Sequence, residues 1–413
     1  MSESAMPQRV VIVGAGQAGG ETAAELRRQG YTGSIVIVGD EPYFPYKRPP
    51  LSKTYLAGST TQESLYVMSQ AGLEKANVEF FGGTAVQAIN RGGKTVKLAD
   101  GRELAYDKLV LATGGRPRLL TLPGADLPGI FALRGIADVD AIRARFRPDA
   151  RLVIVGGGYI GLEVAAVAVK AGLQVTVLES MPRVLQRVTA PEMSAFYERV
   201  HREAGVDLRT GVQLAGFESM DDGSLQVNLA GTGALSADLV VVGIGILPNQ
   251  ELAADAGLDV DNGIVVDEFT RTSDPDIHAA GDCTWHPSAF FGRRIRLESV
   301  QNAMEQGRAA AHNLLGKETR YANVPWFWSD QYELKLQMVG MSAGYDLCVL
   351  RGDPAQRSFG AFYFKDGVLI AADAVSRPQE FMLAKKLVAA RSVIEPARIA
   401  DEAIPMKELA AGY

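Results

Sequence analysis

RVVIVGAGQAGGETAAELRR, residues 9–28, is the stretch that decides the fold of this chain. RVVIV is a short, apolar, β-branched run, typical of a strand buried in a parallel sheet. Gly14, Gly16 and Gly19 follow it, and a helical pattern occupies residues 21–28. The first glycine permits a tight turn, the second lets a pyrophosphate approach the backbone, and the third lets helix and strand pack closely. The stretch therefore predicts a dinucleotide-binding turn with its anion at a helix N-terminus.

The next segment completes this unit. The apolar run SIVIV at 34–38 predicts a second strand, which stops at Gly39-Asp40-Glu41. An acid at this strand end would accept hydrogen bonds from ribose hydroxyls, although Asp40 follows Gly14 by somewhat more than the usual ~20 residues. A glycine-rich turn alone could arise by chance. Strand, helix, second strand and acid in order favour a dinucleotide site.

Residues 151–180 repeat the opening design. RLVIV leads to Gly156, Gly158 and Gly161, then to a helical stretch and to an apolar run that ends at Glu179. Two complete fingerprints imply two dinucleotides bound at once. Hydride exchange between a flavin and a nicotinamide explains this most economically. Two independent nucleotide sites without electron transfer are the alternative.

Size and composition limit the classes of protein to consider. A chain of 413 residues can form two or three domains, and 47% hydrophobic with 22% charged residues is ordinary for a globular protein. No apolar run approaches the ~20 residues that span a bilayer, and MSESAMPQR lacks the core of a signal peptide. These features predict a cytoplasmic location and no membrane contact. A net charge of −6 argues against nucleic acid, and two cysteines and four scattered histidines predict no metal site.

Lys53 stands at the end of the proline-rich segment PYFPYKRPPLSK. Prolines exclude a regular helix up to about residue 52, so Lys53 is expected where the following helix begins. A cation at a helix N-terminus is unfavourable, and a partner for Lys53 is therefore expected. A solvated lysine after a proline loop is the alternative.

The assembled motifs make the chain similar to the FAD-dependent, NADH-utilising ferredoxin reductases of bacterial oxygenase systems. The likeness covers nearly the whole chain and is carried by VVIVGAGQAGGE, PPLSKTYLAG, YDKLVLATGGRPR, VIVGGGYIGLEVAA, TSDPDIHAAGDC and VPWFWSDQYELKLQMVG. It implies an α/β, glutathione-reductase-like fold with two Rossmann-type domains. FAD would bind the domain formed by residues 1–115 and 248–325, and NADH the domain at 116–247. After Pro325, antiparallel strand patterns at 335–341, 348–351, 358–365 and 368–375 predict a C-terminal α+β domain at 326–413.

The resemblance also implies roles in the FAD site. Asp282 would hold a ribityl hydroxyl, Val86 would meet the adenine through its backbone, and Arg134 would reach FAD from the crossover. The pattern from Glu298 predicts a long amphipathic helix. Val300, at its start, would place its N–H near the flavin N1–C2=O edge, where a helix N-terminus stabilises the charge of reduced flavin. The full predicted FAD set is Gly14, Ala15, Gly16, Ala18, Gly19, Asp40, Lys53, Val86, Ala112, Thr113, Gly114, Arg134, Gly281, Asp282 and Val300.

On the second nucleotide, Glu179 would bind the ribose hydroxyls and so select NADH over NADPH. Arg183 and Arg187 follow closely and could instead reach a 2′-phosphate. The predicted NADH set is Gly156, Gly158, Tyr159, Ile160, Gly161, Glu163, Glu179, Arg187 and Glu298. Ordinary packing or surface exposure is the alternative for each of them.

Lys53, Glu163 and Trp328 are the predicted catalytic residues. The first two would form a charge pair beside flavin N5 that orients flavin and nicotinamide. Trp328, in the run WFW, would lie against the flavin near the docking face, although packing at a domain interface is an alternative. Disulfide reductases of this fold carry a cysteine pair near position 53, and this chain has none there. Electrons are therefore expected to leave singly, to an outside carrier.

An acidic 2Fe–2S ferredoxin is the expected partner, and it would feed a haem-thiolate monooxygenase or a ring-hydroxylating dioxygenase. Its docking face should be locally basic. Candidates are the basic residues within 377–398 together with Arg293, Arg294, Arg296, Arg320 and Lys407. A solvated surface of mixed charge is the alternative. Rival functions are a monodehydroascorbate- or quinone-type reductase, and a redox-sensing interaction protein like apoptosis-inducing factor.

Overall fold

The computed structural model of the protein describes residues 7–231 and 233–412. In the first part of the chain the strands are β1 (Arg9–Val13), β2 (Ser34–Val38), β3 (Val78–Phe81), β4 (Val86–Asn90), β5 (Thr95–Leu98), β6 (Glu103–Ala105), β7 (Lys108–Leu111), β8 (Gly115–Pro117) and β9 (Ile130–Ala132). The middle part contains β10 (Arg151–Val155), β11 (Gln174–Glu179), β12 (Asp207–Thr210), β13 (Leu214–Ser219), β14 (Leu225–Leu229), β15 (Gly233–Ala237), β16 (Leu239–Val242), β17 (Ile246–Pro248), β18 (Val260–Asp261), β19 (Gly263–Val265), β20 (Ile277–Ala279), β21 (Thr284–Ser288) and β22 (Arg293–Ile295). The last strands are β23 (Trp326–Gln331), β24 (Leu334–Gly340), β25 (Leu347–Asp353), β26 (Ser358–Lys365) and β27 (Val368–Val375).

The helices connect these strands. They are α1 (Gln17–Arg28), α2 (Gln70–Lys75), α3 (Ile136–Arg143), α4 (Tyr159–Lys170), α5 (Pro191–Glu203), α6 (Glu251–Asp255), α7 (Val300–Leu314), α8 (Pro378–Ala389), α9 (Pro396–Ala400) and α10 (Met406–Leu409). Short 3₁₀ turns occupy Pro49–Ser52, Gln62–Leu65 and Pro354–Gln356. Among the described residues, no helix is long and apolar enough to cross a membrane.

The chain forms two compact units. The first comprises Met1–Arg48, Gln62–Arg116 and Ile246–Asn323, and the second comprises Pro49–Thr61, Pro117–Gly245 and Val324–Tyr413. The short segment that carries Lys53 thus belongs to the second unit, whereas the sequence placed it in the first predicted domain. The division into three domains stays a prediction.

The first unit is built on a parallel sheet of strand order β20-β7-β1-β2-β3. Helices α1 and α7 cover one face, where Gly307 allows the close approach, since a Cβ there would lie 2.8 Å from the Ala18 carbonyl oxygen. The antiparallel sheet β4-β5-β6 contributes to the apolar core on the other face. The carboxyl ends of the parallel strands meet at one edge, which is the ligand-binding edge of such sheets.

The second unit contains two sheets that bear on function. The parallel sheet β12-β11-β10-β16-β9 repeats the design of the first unit, with β10 paired to β11 and β16. The antiparallel sheet β23-β24-β27-β26-β25 follows in the C-terminal part and is covered by α8. The predicted strands at 358–365 and 368–375 are confirmed with the expected bounds.

Two local expectations are corrected. No helix begins at Lys53: a 3₁₀ turn ends at Ser52, and the Lys53 N–H donates to the Pro50 carbonyl, so Lys53 stands at the carbonyl end of a turn. The long helix begins at Val300 rather than at Glu298. Ser299 caps it, because its Oγ accepts the Asn302 N–H at 3.1 Å.

Candidate cofactor and redox sites

The first glycine loop has the geometry of a pyrophosphate cradle. Gly14 has φ of +114°, and a Cβ there would lie 2.1 Å from the Ala112 carbonyl oxygen. A Cβ at Gly19 would lie 2.0 Å from the Gly14 oxygen, so both positions require glycine. At Gly16, by contrast, a Cβ would meet no heavy atom within 4 Å among the described residues. The loop thus presents open backbone at the N-terminus of α1, which fits the pyrophosphate of FAD.

The acid at the end of β2 stands one residue later than in the repeat. A Cβ at Gly39 would lie 2.6 Å from the Ala15 Cβ, which excludes a side chain directly after the strand. Asp40 follows and is exposed, with its Oδ1 accepting the Glu41 N–H at 3.1 Å. Its predicted contact with the FAD ribose stays a prediction.

Several predicted FAD residues gather at the same sheet edge. The Ala112 N–H donates to the Val13 carbonyl, which ties the end of β7 to the end of β1. Gly281 has φ of +91°, and a Cβ there would lie 3.1 Å from the Ala18 Cβ, so the 281–282 turn lies beside the glycine loop. The start of α7, with Val300, is close to this turn, since the same Cβ would be 3.9 Å from the Ala303 Cβ.

The sequence analysis missed three supporting residues here. Asn249 exchanges hydrogen bonds with Thr113, whose Oγ1 donates to the Asn249 carbonyl at 2.6 Å. Gln306 accepts the Gly281 N–H at 2.8 Å through Oε1. Arg48 pairs with Glu41 at 2.7 Å. All three are polar residues without a motif, and only the fold brings them to the loops.

The second glycine loop reproduces the first. Gly156 has φ of +109°, and a Cβ there would lie 2.4 Å from the Gly243 carbonyl oxygen. A Cβ at Gly161 would lie 2.2 Å from the Gly156 oxygen. Gly158 again has no heavy atom within 4 Å of the Cβ position among the described residues. The predicted repeat is therefore present in structure as well as in sequence, and it fits a second pyrophosphate.

Glu179 is held at the end of β11 by backbone donors. Its Oε2 accepts the Gly157 N–H at 2.7 Å, and its Oε1 accepts the Met181 N–H at 2.8 Å. Arg183 is occupied elsewhere, donating to the Thr189 carbonyl and to the Ser194 Oγ. Arg187 is exposed. Of the two arginines that could reach a 2′-phosphate, one is thus already engaged by the protein.

Lys53 and Glu163 form a buried ion pair within the second unit. The Lys53 Nζ lies 2.6 Å from the Glu163 Oε2, and the side chains are 15% and 3% exposed. Ser52 Oγ donates to the same oxygen at 2.5 Å, and Ser329 Oγ donates to Oε1 at 2.6 Å. The partner expected for Lys53 is therefore Glu163, and each charge offsets the desolvation of the other.

Trp328 belongs to an aromatic strip on β23. Its ring centroid lies 5.5 Å from that of Trp326, and the Lys385 Nζ lies 4.9 Å from the Trp326 centroid. Phe327, on the other face of the strand, packs at 5.3 Å against Tyr159, a predicted NADH residue at the start of α4. Burial raises the pKa of Tyr159 well above its usual value, so the phenol is neutral at pH 7.

The remaining predicted residues lie outside these clusters. Ile160, on the first turn of α4, is 43% exposed. Arg134 precedes α3, and its N–H donates to the Asp138 Oδ2. Glu298 is exposed and ion-paired with Arg296. Val86 begins β4 and packs on the apolar core of the first unit. Their predicted contacts with FAD or NADH stay predictions.

The two cysteines belong to different compact units. Cys283 is buried in the first unit, with its Sγ 3.4 Å from the Ala280 carbonyl oxygen, and burial raises its pKa. Cys348 is in the second unit, on β25, and burial raises its pKa to about 12. The chain has no further cysteine, and burial disfavours the thiolate, the reactive form, of both. Among the described residues, no cluster of three or more possible ligands could hold a metal ion.

Comparisons with known proteins agree with this geometry. Residues 8–307 match the family described as pyridine nucleotide-disulphide oxidoreductase, and residues 326–410 match the family described as reductase C-terminal. The chain belongs to the pyridine nucleotide-disulphide oxidoreductase family. The predicted fold class is thereby confirmed, and so are FAD and NADH as the cofactors.

Individual relatives place the chain more narrowly. It is 51% identical to putidaredoxin reductase of Pseudomonas putida over 97% of this chain and 96% of the relative. It is 43% identical to rhodocoxin reductase of Rhodococcus erythropolis over 96% of this chain and 93% of the relative. The structure of a covalent putidaredoxin reductase–putidaredoxin complex matches with a TM-score of 0.95 and 50% identity, covering 98% of each chain. The predicted resemblance to ferredoxin reductases of oxygenase systems is confirmed.

Proposed function

We propose that the protein is an NADH-dependent flavoprotein reductase that delivers electrons to a 2Fe–2S ferredoxin of an oxygenase system. The observation that carries this proposal is the pair of glycine cradles, each open at its second glycine, in a chain that matches putidaredoxin reductase over 97% of its length. The chemistry that FAD would supply when bound is acceptance of a hydride from NADH and release of single electrons.

The residues of this chain bind and orient the two cofactors. The open backbone at Gly16 and Gly158 accommodates the pyrophosphates at the N-termini of α1 and α4. Glu179, whose carboxylate accepts hydrogen bonds from two backbone N–H groups, binds the ribose on the adenine side of NADH. Lys53 and Glu163 orient the reacting rings, and their mutual neutralisation lets the site hold both charges away from water.

The electrons leave to an external carrier. Although the family is described by its disulphide chemistry, Cys283 and Cys348 lie in different units, and burial raises the pKa of each thiol. Electrons that do not pass through a dithiol go directly to an external acceptor, and the match to putidaredoxin reductase favours a ferredoxin. The aromatic strip of Trp326 and Trp328 on β23 is the proposed exit, because it offers partly exposed rings on the strand whose other face packs on the Glu163 helix.

The partner is a small acidic ferredoxin that in turn supplies a monooxygenase or a ring-hydroxylating dioxygenase. We place the reaction in the cytoplasm, where NADH is regenerated. Some of the predicted basic residues are engaged within the protein: Arg377 pairs with Glu380 and Glu402, and Arg398 pairs with Glu408. Lys386 is exposed on α8 and offers its charge to a partner.

Anaerobic reduction and acceptor kinetics test the proposal together. Titration with dithionite should take up two electrons per flavin, with no thiols appearing. NADH oxidation should be rapid with a 2Fe–2S ferredoxin, and ferricyanide should report flavin reduction alone. Uptake of four electrons with new thiols, or a quinone acceptor faster than every ferredoxin tried, would overturn the assignment.

A further inference from the structure

A chain of buried hydrogen bonds leads away from the Glu163 carboxylate into the second unit. Ser329 Oγ lies 2.6 Å from the Glu163 Oε1, and Gln331 Nε2 lies 3.2 Å from the Ser329 Oγ. His201 Nε2 is 2.9 Å from the Gln331 Oε1, and Tyr332 Oη is 2.9 Å from the His201 Nδ1. Glu163, Ser329, Gln331 and His201 are all at most 3% exposed. The four residues beyond Glu163 have no role in the function proposed above.

The chain of buried hydrogen bonds and the aromatic strip lie on opposite faces of strand β23. Successive side chains of a strand point to opposite faces, so Trp326 and Trp328 share one face while Phe327, Ser329 and Gln331 share the other. The second face packs on α4, the helix of Glu163. Two polar side chains at buried positions of a strand cost stability unless they are hydrogen-bonded. Their retention beside Glu163 points to a function.

The carboxylate fixes the direction of every bond in the chain. A carboxylate only accepts, so the Ser329 hydroxyl donates to Glu163 and must accept from the Gln331 amide N–H. The Gln331 carbonyl oxygen then accepts from His201 Nε2–H, and His201 Nδ1 accepts from the Tyr332 hydroxyl. Burial lowers the pKa of His201 to about 4. The ring is therefore neutral at pH 7, as this single order of donors requires.

The two carboxylate oxygens of Glu163 accept different numbers of hydrogen bonds. Oε2 accepts from both Lys53 and Ser52, whereas among the described residues Oε1 accepts from Ser329. Loss of the Ser329 hydroxyl would thus free one side of the carboxylate to rotate, while loss of the Ser52 hydroxyl leaves Lys53 in place. A primary amide does not relay protons readily, so Gln331 makes the chain a device for orientation rather than a proton path.

We propose that Ser329 is a positioning residue, backed by Gln331, His201 and Tyr332, that holds Glu163 in the orientation that pairs with Lys53. This inference rests on the proposed role of the Lys53–Glu163 pair in orienting flavin and nicotinamide. Because Ser329 lies on β23, the same strand that carries Trp328 also supports the Lys53–Glu163 pair.

A double-mutant cycle tests the kinetic part. Flavin reduction by NADH, followed by stopped flow in the FAD-loaded protein, should be about tenfold slower in Ser329→Ala, because a hydrogen bond to a charged group is lost. Ser52→Ala should slow it about threefold or less. In a Glu163→Ala background, Ser329→Ala should have no further effect, since residues that act through one group are not additive. Additive losses would overturn the proposal.

Tyr197→Phe is the matched control. Its hydroxyl is buried on α5, the helix of His201, and has no hydrogen-bond partner among the described residues. The variant removes a buried hydroxyl of the second unit without touching the chain, so flavin reduction should keep the wild-type rate. A loss equal to that of Ser329→Ala would show that any buried hydroxyl has this effect, and would overturn the proposal.

Nitrogen NMR of the histidines provides a readout that does not depend on turnover. The protein has four histidines, so ¹⁵N labelling of that residue type gives few signals. In the wild type His201 should be the neutral tautomer with the proton on Nε2. Glu163→Gln leaves one acceptor oxygen, which Lys53 and Ser52 engage, and turns an amide donor towards Ser329, while Ser329→Ala breaks the chain. Both variants should shift the His201 signals or mix the tautomers. A His201 spectrum unchanged in both variants would overturn the proposal.

The kinetic and NMR data distinguish failure of this inference from failure of the proposed function on which it rests. If Glu163→Ala itself reduces flavin at the wild-type rate, the proposed role of the Lys53–Glu163 pair is wrong, whatever the NMR shows. If Glu163→Ala is slow while Ser329→Ala is not, the pair acts as proposed and only the positioning role is wrong. FAD content and near-ultraviolet circular dichroism establish that each variant is folded.

Discussion

The position of Glu179 predicts that one carboxylate selects between two cofactors that differ by a phosphate. Gly157 and Met181 fix it at the end of β11, and its remaining lone pairs can accept from both ribose hydroxyls of NADH. In NADPH the same carboxylate would face a like charge, which costs several kcal/mol. Even ~2.8 kcal/mol is about a hundredfold in affinity.

We therefore predict that kcat/KM favours NADH over NADPH by about a hundredfold or more. Arg183 offers little compensation, since Thr189 and Ser194 already engage it. Glu179→Ala should reduce the preference, and Ser180→Ala, which alters only a weak 3.3 Å contact to the same carboxylate, should keep it. Equal kcat/KM for the two cofactors in the wild type would show that Glu179 does not recognise the ribose.

At the scale of elements, the strand–loop–helix unit separates glycines needed for the fold from glycines needed for the ligand. Gly156 has a positive φ and a carbonyl oxygen 2.4 Å from its Cβ position, whereas Gly158 has a negative φ and open space. An added methyl group should therefore strain the backbone at Gly156, whereas at Gly158 it should obstruct the ligand.

We predict that Gly158→Ala folds with nearly the stability of the wild type, retains FAD and binds NADH weakly, because the new methyl group occupies the place of the pyrophosphate. Gly156→Ala should instead lower the melting temperature, since a strained residue of this kind costs on the order of 1–3 kcal/mol. Thermal unfolding and NAD⁺ titration distinguish the two. Normal NADH affinity in Gly158→Ala would place the pyrophosphate elsewhere.

The same elements show what the sequence could predict. The β1–α1–β2 unit and its repeat were predictable because the pattern is local: apolar run, glycine spacing, helix and acid lie within thirty-odd residues. Strands Ser358–Lys365 and Val368–Val375 are predictable because each is a short, mostly apolar run and an Asp366-Gly367 turn separates them. Strand Trp326–Gln331 is not, because polar Ser329 and Gln331 occupy its buried positions.

The long-range contacts of the site could be predicted only in part. The family resemblance predicts the pairing of Lys53 with Glu163. The expected helix N-terminus, from which a partner for Lys53 was also predicted, is wrong. Proline spacing cannot distinguish a 3₁₀ turn from the first turn of a helix. The links from Ser329 to Gln331 and His201 carry no spacing signal, because tertiary packing brings α5 and β23 together.

At the scale of the whole molecule, three buried histidines make stability depend on pH. Burial lowers the pKa of His201 to about 4, of His278 to about 3 and of His286 to about 4. Unfolded histidine titrates near 6.5. Below pH 6.5 the unfolded chain therefore binds protons that the folded chain does not, and stability is lost progressively as pH falls towards 4.

We predict that lowering the pH from 7 to 5 reduces the free energy of unfolding by about 2 kcal/mol for each of these three histidines. Asp373 opposes this: burial raises its pKa to about 6, so its cost to folding grows as pH rises from ~3.9 through 6, and lowering the pH to 5 returns roughly 1 kcal/mol. Calorimetry at pH 5.5 in buffers of different ionisation enthalpy should show a net uptake of about two protons on unfolding. Release of protons would contradict the neutral, buried state of these rings.

The charge of the whole molecule bears on its partner. A net charge of −6 repels an acidic ferredoxin at long range, so productive encounter requires a local basic face. Lys386 is exposed on α8, and Lys385 lies over the ring of Trp326 on the neighbouring strand. These charges therefore stand next to the proposed electron exit.

We predict that the rate of ferredoxin reduction falls as salt rises, because surface charges are screened over ~8 Å at physiological ionic strength, while ferricyanide reduction changes little. Lys386→Glu should raise the KM for ferredoxin and leave flavin reduction by NADH intact. Lys97→Glu, an exposed lysine on β5, is the matched control, since it changes the net charge equally without touching α8. If both reversals weaken the ferredoxin reaction alike, net charge rather than the α8 surface governs docking. If ferredoxin and ferricyanide activities fall together, Lys386 acts on the flavin site and not on the partner.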